Sequence, residues 1–470
     1  MAFQTPPPPA AEPTDGFPWR TEFRRLCRLA APIVATQVAW VAMLTTDTAM
    51  IGRLGAEPLA GASFSLMAFF IGYMFCFGVT MSTAGLAAQA YGARRPRIVR
   101  RVIRQGLWVT ILTTLPFVAA FSQVETLLVW TGQPPETLPH AAAYMSTLMW
   151  SLPMGVAFAV LRNFVAAVDR PQAALWVMAA GVPVNALLDY ALIFGNFGLP
   201  RLELVGAGIA TTTVNVLMVL ALAALIQWRR PFNKYQVFAR FWRPDWQIFR
   251  RIFAVGMPIA VMTVLEGGFF ISAIFVIGQF GAVAVAAHII ALQMPHLTFM
   301  IPMGMSQAAT VRVGQMAGRR DAVGAYRAGW TAVAVTTAFM AVMTVVIVFI
   351  TGPFSRIFMD VDTPDADQVL PLAQSLLLLA ALFQLGDGVQ AVAAGALRGV
   401  NDTKVPMLNA VVTFWGLGAA VSLGLGFPGG METQGVWVGF VVSLTVVALL
   451  QAWRLRSLQR KAYLPDLVGD

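Results

Sequence analysis

The sequence predicts an all-α integral membrane protein in which twelve transmembrane helices form two parallel six-helix repeats, arranged as two lobes around a central cavity. Three observations predict this fold. Hydrophobic residues fill 58% of the 470 positions and charged residues only 11%, well below the roughly 25% of a soluble domain. The chain contains twelve long apolar runs, and its second half repeats the pattern of its first. A chain of this composition cannot cover a water-facing surface with polar groups, so lipid must be its solvent.

Each apolar run is long enough to cross a membrane, which takes about 20 apolar residues. The predicted spans are 26–52, 59–91, 98–122, 139–167, 172–195, 204–228, 247–277, 283–316, 323–353, 365–398, 405–428 and 432–455. The runs are continuous and rich in Ala, Leu and Met, whereas the strands of a membrane barrel alternate over about ten residues. They therefore predict helices.

The segments outside the spans divide the chain. Residues 1–19 are proline-rich and polar and predict a disordered tail, because a signal peptide begins basic and turns apolar at once. Residues 20–228 then form a first lobe with spans 1–6, and residues 229–246 form a basic cytoplasmic linker. Residues 247–455 form a second lobe with spans 7–12, and residues 456–470 form a cytoplasmic tail.

Basic residues concentrate on one side of the predicted membrane. They cluster between spans 2 and 3 (YGARRPRIVRRVIRQ), 6 and 7 (RRPFNKYQVFARFWRPDWQIFRR) and 8 and 9 (GRRDAVGAYR), and around both chain ends, whereas the opposite loops carry only Arg53, Arg201 and Arg356. Because loops rich in Lys and Arg stay in the cytoplasm, we expect a multi-pass protein of the bacterial inner (plasma) membrane with both termini cytoplasmic. The formal charge of +10 then reflects topology and attraction to anionic membrane lipid. It does not indicate a nucleic-acid partner.

The repeat is visible when the chain is shifted against itself by one constant offset. The matched pairs are Pro32 and Pro258, Gly52 and Gly278, Gly55 and Gly281, Gly78 and Gly304, Gln89 and Gln315, Gly92 and Gly318, and Arg94 and Arg320. Later the register drifts, so that Asp169 best matches Asp402 and Gly206 best matches Gly435. Each half has an even number of spans, so the halves share one orientation and are related by an axis along the membrane normal. This geometry suits alternating access, and a duplicated bundle without a transport function is the alternative.

Four acids lie inside predicted spans, away from loops and span ends. They are Asp47 in span 1, Asp189 in span 5, Glu266 in span 7 and Asp387 in span 10. An ionised acid at mid-bilayer costs about 2.5–3.5 kcal/mol, so these acids must be protonated, hydrated, ion-bound or paired. Burial and a nearby second carboxylate both favour the protonated form of a carboxyl group, which suits a proton carrier. The same oxygens suit a hard cation such as Na⁺, and the residues leave both alternatives open.

Polar neighbours suggest how the acids are grouped. Asn185 and Asp189 are four residues apart and share one helix face, so we expect them to converge with Asp47. In the second half, Gln384, Asp387 and Gln390 recur every three residues, and Glu266 is followed by two glycines that permit close packing or local unwinding.

Other chemistry finds little support in the sequence. It contains no Walker motif, no glycine-rich phosphate loop and no Ser-His-Asp pattern, and no Cys/His cluster that would form a metal site. We therefore expect neither an enzyme nor a cofactor. Arg162, Arg312 and Arg398 lie near span ends and are interpreted as helix caps or snorkelling side chains.

Several segments resemble the multidrug and toxic compound extrusion (MATE) family, NorM-like branch. They are TTDTAMIGRLG in span 1, NALLDYALIFGNFGLP in span 5, VLEGGFF in span 7 and GDGVQAVAAGALRGVNDTKVP at span 10. The resemblance extends over roughly residues 20–455 and implies a cation-coupled antiporter, working as a monomer, that exports cationic, aromatic small molecules through a V-shaped pair of lobes. Asp47, Asn185 and Asp189 match the family's first-lobe coupling residues, and Glu266 and Asp387 match its second-lobe cation site.

The residues and the resemblance together suggest which side chains line the substrate cavity. These are Gln37, Thr46, Phe269, Met294, Phe383, Gln384 and Gln390. Sodium-coupled relatives carry Tyr at the position of Phe383, which has no hydroxyl group to offer, so the sequence favours H⁺ over Na⁺. Two other functions stay open: a channel lined by the polar stripes, and a flippase for a lipid or lipid-linked precursor, whose cavity should be more basic.

Overall fold

A computed structural model describes residues 19–130, 132, 134–359 and 365–467 of the chain. Within these residues the fold is entirely helical and contains no strand. The predicted disordered tail lies outside the described residues except for Trp19, which is the first residue of a helix.

The helices follow the predicted spans closely. The first lobe contains α1 (Trp19–Gly52), α2 (Ala56–Gly92), α3 (Pro96–Phe121), α4 (Val124–Trp130), α5 (Leu138–Leu148), α6 (Ser151–Ala167), α7 (Gln172–Phe194) and α8 (Glu203–Trp228). The second lobe contains α9 (Trp246–Gly278), α10 (Ala282–Gly318), α11 (Ala322–Phe358), α12 (Ala366–Gly399), α13 (Lys404–Ala410), α14 (Ala419–Gly426) and α15 (Glu432–Arg460). Among the described residues, eleven helical segments are long and apolar enough to cross a membrane.

Two spans depart from a plain helix. The fourth is bent by 42° between Pro135–Leu148 and Ser151–Ala167, and counting this pair as one span gives the predicted twelve. The eleventh contains a π-helix over Val411–Gly418, between α13 and α14. Such wider turns often occur at functional sites, and no feature of the apolar pattern indicates one here.

The backbone confirms the internal repeat. Gly55 and Gly281, which precede α2 and α10, have φ of 122° and 100°, and Arg94 and Arg320, which follow these helices, have φ of 56° and 61°. The repeat is therefore preserved even in the unusual left-handed conformations of its turns.

One predicted pairing of the repeat needs correction. Asp169 has a left-handed φ of 62°, and its structural counterpart is Asn401 with φ of 60°, not Asp402. Both residues follow a helix end in which the same backbone hydrogen bonds recur. The neighbouring Asp402 instead pairs with Arg454, Nε to Oδ2, at 2.6 Å. Sequence matching chose the identical residue type, whereas the chain geometry selects the preceding position.

The two lobes meet along an interface that we call the seam, where α2 lies against α9 and the equivalent helix α10 lies against α1. A Cβ atom on Gly78 of α2 would press against the backbone of Ala260 in α9, and a Cβ atom on Gly304 of α10 would press against Val34 in α1. Each contact lies in the half of its helix that leads to the basic loops. We call that end of the bundle, formed by loops 93–95, 229–245 and 319–321 and by both chain ends, the basic end.

The linker between the lobes is docked against the first lobe rather than extended. Three side chains of α3 donate hydrogen bonds to its backbone carbonyls: Arg104 to Arg240 at 2.9 Å, Trp108 to Phe241 at 3.1 Å and Gln105 to Arg243 at 3.3 Å. Asp245 then caps α9 by accepting a hydrogen bond from the backbone N–H of Ile248 at 3.3 Å. The linker is therefore part of the first lobe's surface until α9 begins.

We expect Gly206→Ala to destabilise the protein. A Cβ atom at Gly206 in α8 would meet the backbone carbonyl of Leu192 in α7, so the two helices must separate, which costs about 1–3 kcal/mol. The melting temperature of purified protein in detergent should fall by several degrees. Gly278→Ala is the matched control, because no atom lies within 4 Å of its Cβ position. Equal melting temperatures for the two variants would contradict this packing argument.

Candidate functional site

The first acid pair is formed by helices α1, α7 and α8. Asp47 of α1 and Asp189 of α7 are 4% and 0% exposed, and their carboxyl groups interact with each other. Thr211 of α8 donates a hydrogen bond from Oγ1 to Asp47 Oδ2 at 3.1 Å. Asn185, one turn before Asp189, is also fully buried and interacts with Asp47. The structure thus brings together the three residues predicted for this site.

The polar atoms of this cluster are incompletely satisfied. Asp47 Oδ1, both carboxyl oxygens of Asp189 and both side-chain polar atoms of Asn185 are buried without a hydrogen-bond partner within the described residues. Most buried polar atoms in proteins have a partner, so each exception needs an explanation. A proton shared between the two carboxyl groups, or a cation held by these oxygens, would provide one.

Sequence reasoning missed one residue of this cluster. Tyr144 of α5 is 1% exposed and lies close enough to interact electrostatically with both Asp47 and Asp189. It lies in the bent fourth span, and a tyrosine in an apolar run gives no sign of its direction. Only the fold brings Tyr144 within electrostatic range of the acids.

The second acid pair joins α9 and α12. Gln390 donates a hydrogen bond from Nε2 to Glu266 Oε1 at 2.6 Å, and Asp387 interacts electrostatically with Glu266. Asp387 Oδ1 and Gln390 Oε1 are buried without a hydrogen-bond partner within the described residues. The structure brings Glu266 and Asp387, the two residues predicted for this site, together with Gln390, which was predicted for the substrate cavity. This group shares no residue with the first pair.

The second acid pair borders an aromatic core and the π-helix. Phe383, one turn before Asp387, is 1% exposed. The centroid of its ring lies 5.6 Å from the ring centroid of Trp437 and 6.2 Å from that of Phe440. Trp415 of the π-helix donates a hydrogen bond from Nε1 to the carbonyl of Leu265 at 3.0 Å, beside Glu266. The wider turn therefore adds a polar link to the backbone of the acid-bearing helix.

The other residues predicted for the cavity lie in different surroundings. Phe269 and Met294 are buried in the hydrophobic core of the second lobe. Gln384 is also buried, and it donates to Thr344 at 3.3 Å and accepts from Thr298 at 3.1 Å. These contacts hold α10, α11 and α12 together. The structure thus brings Gln390, but not Gln384, to the acids.

Two predicted cavity residues lie on α1. Thr46 uses its hydroxyl group within the helix, donating to the carbonyl of Ala42 at 2.8 Å. Gln37 is buried and accepts a hydrogen bond from Arg162 Nη1 at 3.3 Å. Neither contacts an acid of the first pair through a hydrogen bond in the described structure.

The interpretation of three arginines as helix caps or snorkelling side chains is wrong. Arg162 is 6% exposed, and its guanidinium lies 5.7 Å from the ring centroid of Phe77. Arg398 turns back along α12 and donates to Ser306 at 3.1 Å and across the seam to Met81 Sδ at 3.4 Å. Arg312 is 4% exposed and forms an ion pair inside the protein. All three face inward because the bundle provides acceptors there.

The MatE family profile matches the chain twice, over residues 32–191 and 258–423. The chain belongs to the MatE family. The two matches begin at Pro32 and Pro258, the first proline pair of the repeat, and the second match is slightly the longer, which agrees with the repeat and with its drift. Members of this family are transporters, so the protein is a membrane transporter and not an enzyme.

Named relatives extend over almost the whole chain. It is 43% identical over 453 residues to the probable multidrug resistance protein NorM of Rhodopseudomonas palustris, with 96% of this chain and 95% of that protein covered. It is 36% identical to the multidrug resistance protein NorM of Burkholderia vietnamiensis, with 91% and 92% covered.

Solved structures share the fold. The eukaryotic MATE transporter AtDTX14 superposes with a TM-score of 0.85 at 20% identity, covering 94% of this chain and 98% of that one. The Vibrio cholerae MATE transporter VcmN, crystallised as a mutant, also gives 0.85 at 15% identity, with 94% and 98% covered. The two-lobed arrangement is therefore kept at low sequence identity.

We expect Asp189→Asn to stabilise the protein. The substitution removes one of two adjacent buried carboxyl groups and introduces an amide that can donate to Asp47. An unsatisfied buried polar group costs about 1–3 kcal/mol, so the melting temperature in detergent should rise by a few degrees. Asp402→Asn is the control, because it breaks the ion pair with Arg454 and should lower the melting temperature. A fall of similar size in both variants would contradict this interpretation.

Proposed function

We propose that this protein is a cation-coupled multidrug antiporter that exports cationic, amphipathic aromatic compounds by alternating access, with H⁺ as the coupling ion. The observation that carries this proposal is the pair of buried carboxyl clusters, one in each lobe, whose oxygens lack a full set of hydrogen bonds. The names of the NorM relatives support the substrate class.

The first cluster suits a proton. Two carboxyl groups side by side in a low-dielectric interior cannot both be ionised without a large cost, so one of them tends to hold a proton. Thr211 donates to one oxygen of Asp47, leaving the other oxygen free to share a proton with Asp189. Binding and release of that proton would change the charge of the cluster by one unit.

The second cluster offers few oxygen ligands for Na⁺. Its oxygens come from Glu266, Asp387 and Gln390, and one of them, Glu266 Oε1, already accepts a hydrogen bond from Gln390 Nε2. Phe383 contributes an aromatic ring where a hydroxyl group would add an oxygen. Hard cations require a shell of several oxygens, so this donor set favours a proton or an organic cation over Na⁺.

The closed seam fits one state of the alternating-access cycle. If the basic end is cytoplasmic, as the positive-inside rule predicts, a seam closed at that end leaves the cavity facing the outside. A proton entering there carries one charge inward, and each charge crossing 100 mV supplies about 2.3 kcal/mol. Coupling requires that the proton and the drug favour different states or compete for one site, and the acid clusters provide such a site.

We expect proton-driven export that depends on Asp47. The protein would be reconstituted in vesicles, and a fluorescent cationic dye would be followed under a proton gradient and, separately, under a Na⁺ gradient. Wild-type protein should move dye under the proton gradient. Asp47→Asn, which keeps the size and removes the ionisable group, should lose at least about 90% of this movement, a tenfold effect equivalent to about 1.4 kcal/mol.

Two variants complete the experiment. Glu57→Gln changes an exposed acid of α2 and should behave as wild type. Glu266→Gln tests the second cluster, and a larger effect there than at Asp47, together with dye movement under the Na⁺ gradient alone, would shift the coupling site to the second lobe. Dye movement under neither gradient by folded protein would reject the antiporter and favour the flippase.

A further inference from the structure

A buried ion pair joins the two lobes at the basic end. Arg312 of α10 donates from Nε to Glu22 Oε1 at 2.9 Å and from Nη2 to Glu22 Oε2 at 2.7 Å, and Glu22 lies in the first turn of α1. The two side chains are 5% and 6% exposed. A bidentate pair of this kind is strong and geometrically specific, and this one crosses the seam between the lobes.

The pair continues into a chain of hydrogen bonds that crosses the seam a second time. Arg312 Nη1 donates to Gln315 Oε1 at 2.9 Å. Gln315 Nε2 then donates to the carbonyl of Ala167 at 3.0 Å and to Asp169 Oδ1 at 2.9 Å, both in the first lobe. The first turn of α1 and the end of α6 are thus tied to one short segment of α10.

The repeat reproduces the glutamine contact on the other side of the seam. Gln89, the counterpart of Gln315, donates from Nε2 to the carbonyl of Gly399 at 2.8 Å and accepts from Asn401 at 3.1 Å. Gly399 and Asn401 lie in the second lobe at the places that Ala167 and Asp169 occupy in the first. The seam is therefore closed by two equivalent polar contacts.

The ion pair has no such counterpart. The offset that pairs Gln89 with Gln315 places Ile248 at the position of Glu22 and Leu86 at the position of Arg312. Both of these apolar residues are buried. They face each other across the seam, since Ser82, one turn from Leu86, donates to the carbonyl of Ile252, one turn from Ile248, at 3.1 Å. An apolar pair thus closes one side, and a charged pair closes the other.

The two kinds of contact differ in the cost of opening. Separating Ile248 and Leu86 exposes apolar surface to water, at about 25 cal/mol per Å². Separating Glu22 and Arg312 lets both charges regain the hydration that they lost on burial, which offsets much of their mutual attraction. The charged pair therefore fixes the geometry of the closed seam, and opening the seam at this pair costs less free energy than it would at an apolar pair.

We propose that Glu22 and Arg312 are gating residues of the transport cycle: their ion pair seals the basic end while the cavity faces the opposite side, and it separates and hydrates when the cavity faces the basic end. This inference rests on alternating access as the proposed function. It assigns the two residues no contact with the drug or with the coupling ion.

The gate is tested by the accessibility of a cysteine in the seam. Ser82→Cys is introduced after Cys27→Ser and Cys76→Ser, and labelling by a membrane-impermeant maleimide is measured in inside-out vesicles. Glu22→Gln and Arg312→Gln each leave one buried partner without its charge complement, which is strongly destabilising to the closed seam. We expect each to raise the labelling rate at least about tenfold.

Two double variants identify the pair as the cause. The exchange of Glu22→Arg with Arg312→Glu should return labelling towards the slow rate of the parent protein. Glu22→Ile with Arg312→Leu copies the apolar side of the seam and should label as slowly as the parent or more slowly, while its dye export falls because opening becomes costly.

Asp402→Asn breaks an ion pair that lies within the second lobe and should leave the labelling rate unchanged. Unchanged labelling in both single variants would overturn the proposal. Faster labelling that the exchanged pair does not reverse would show general loosening and would also overturn it. The labelling requires neither drug nor gradient, so absent dye transport with the expected labelling pattern would reject the antiporter function and retain the gate.

Discussion

The cost of placing carboxyl groups in hydrocarbon governs this structure. Helix formation satisfies the backbone polar groups of the described spans, as a membrane interior demands, but a carboxyl side chain needs a partner on another helix. Asp47 interacts with Asp189 and accepts a hydrogen bond from Thr211. Glu266 accepts a hydrogen bond from Gln390 and interacts with Asp387. The packing of α1 against α7 and α8, and the side-chain contacts that link α9 to α12, are therefore also what makes these acids tolerable.

The repeat preserved the scaffold and let the chemistry diverge. Left-handed turns recur at equivalent positions of both halves, and so do the glutamine contacts across the seam. The acids do not recur: the repeat offset pairs Asp47 with Ala273, and it pairs Glu266 with Trp40. Each lobe thus contributes its own polar cluster to a common frame, and the two clusters are free to serve different steps.

The sequence was sufficient to predict features that depend on composition and period, namely the spans, the repeat and the convergence of Asp47 with Asp189. The sequence was insufficient to predict whether a single polar side chain is exposed to water or buried in the interior. Glu22 follows the polar tail and lies between Arg20 and Arg24, so it looks like a solvated residue, yet it is buried against Arg312. For the same reason Tyr144 was missed and Arg162 and Arg398 were misinterpreted, because the neighbours that draw these side chains inward lie on helices distant in sequence.

The docked linker limits how the two lobes can move. Its carbonyls are bonded to α3 as far as Arg243, and Asp245 already caps α9. Only Pro244 lies between these anchors, and a proline ring fixes its own φ. The covalent connection between the two lobes is therefore very short and stiff, and it does not act as a flexible linker. Rotation of one lobe against the other pivots close to this point, so displacement is smallest beside the joint and grows with distance from it.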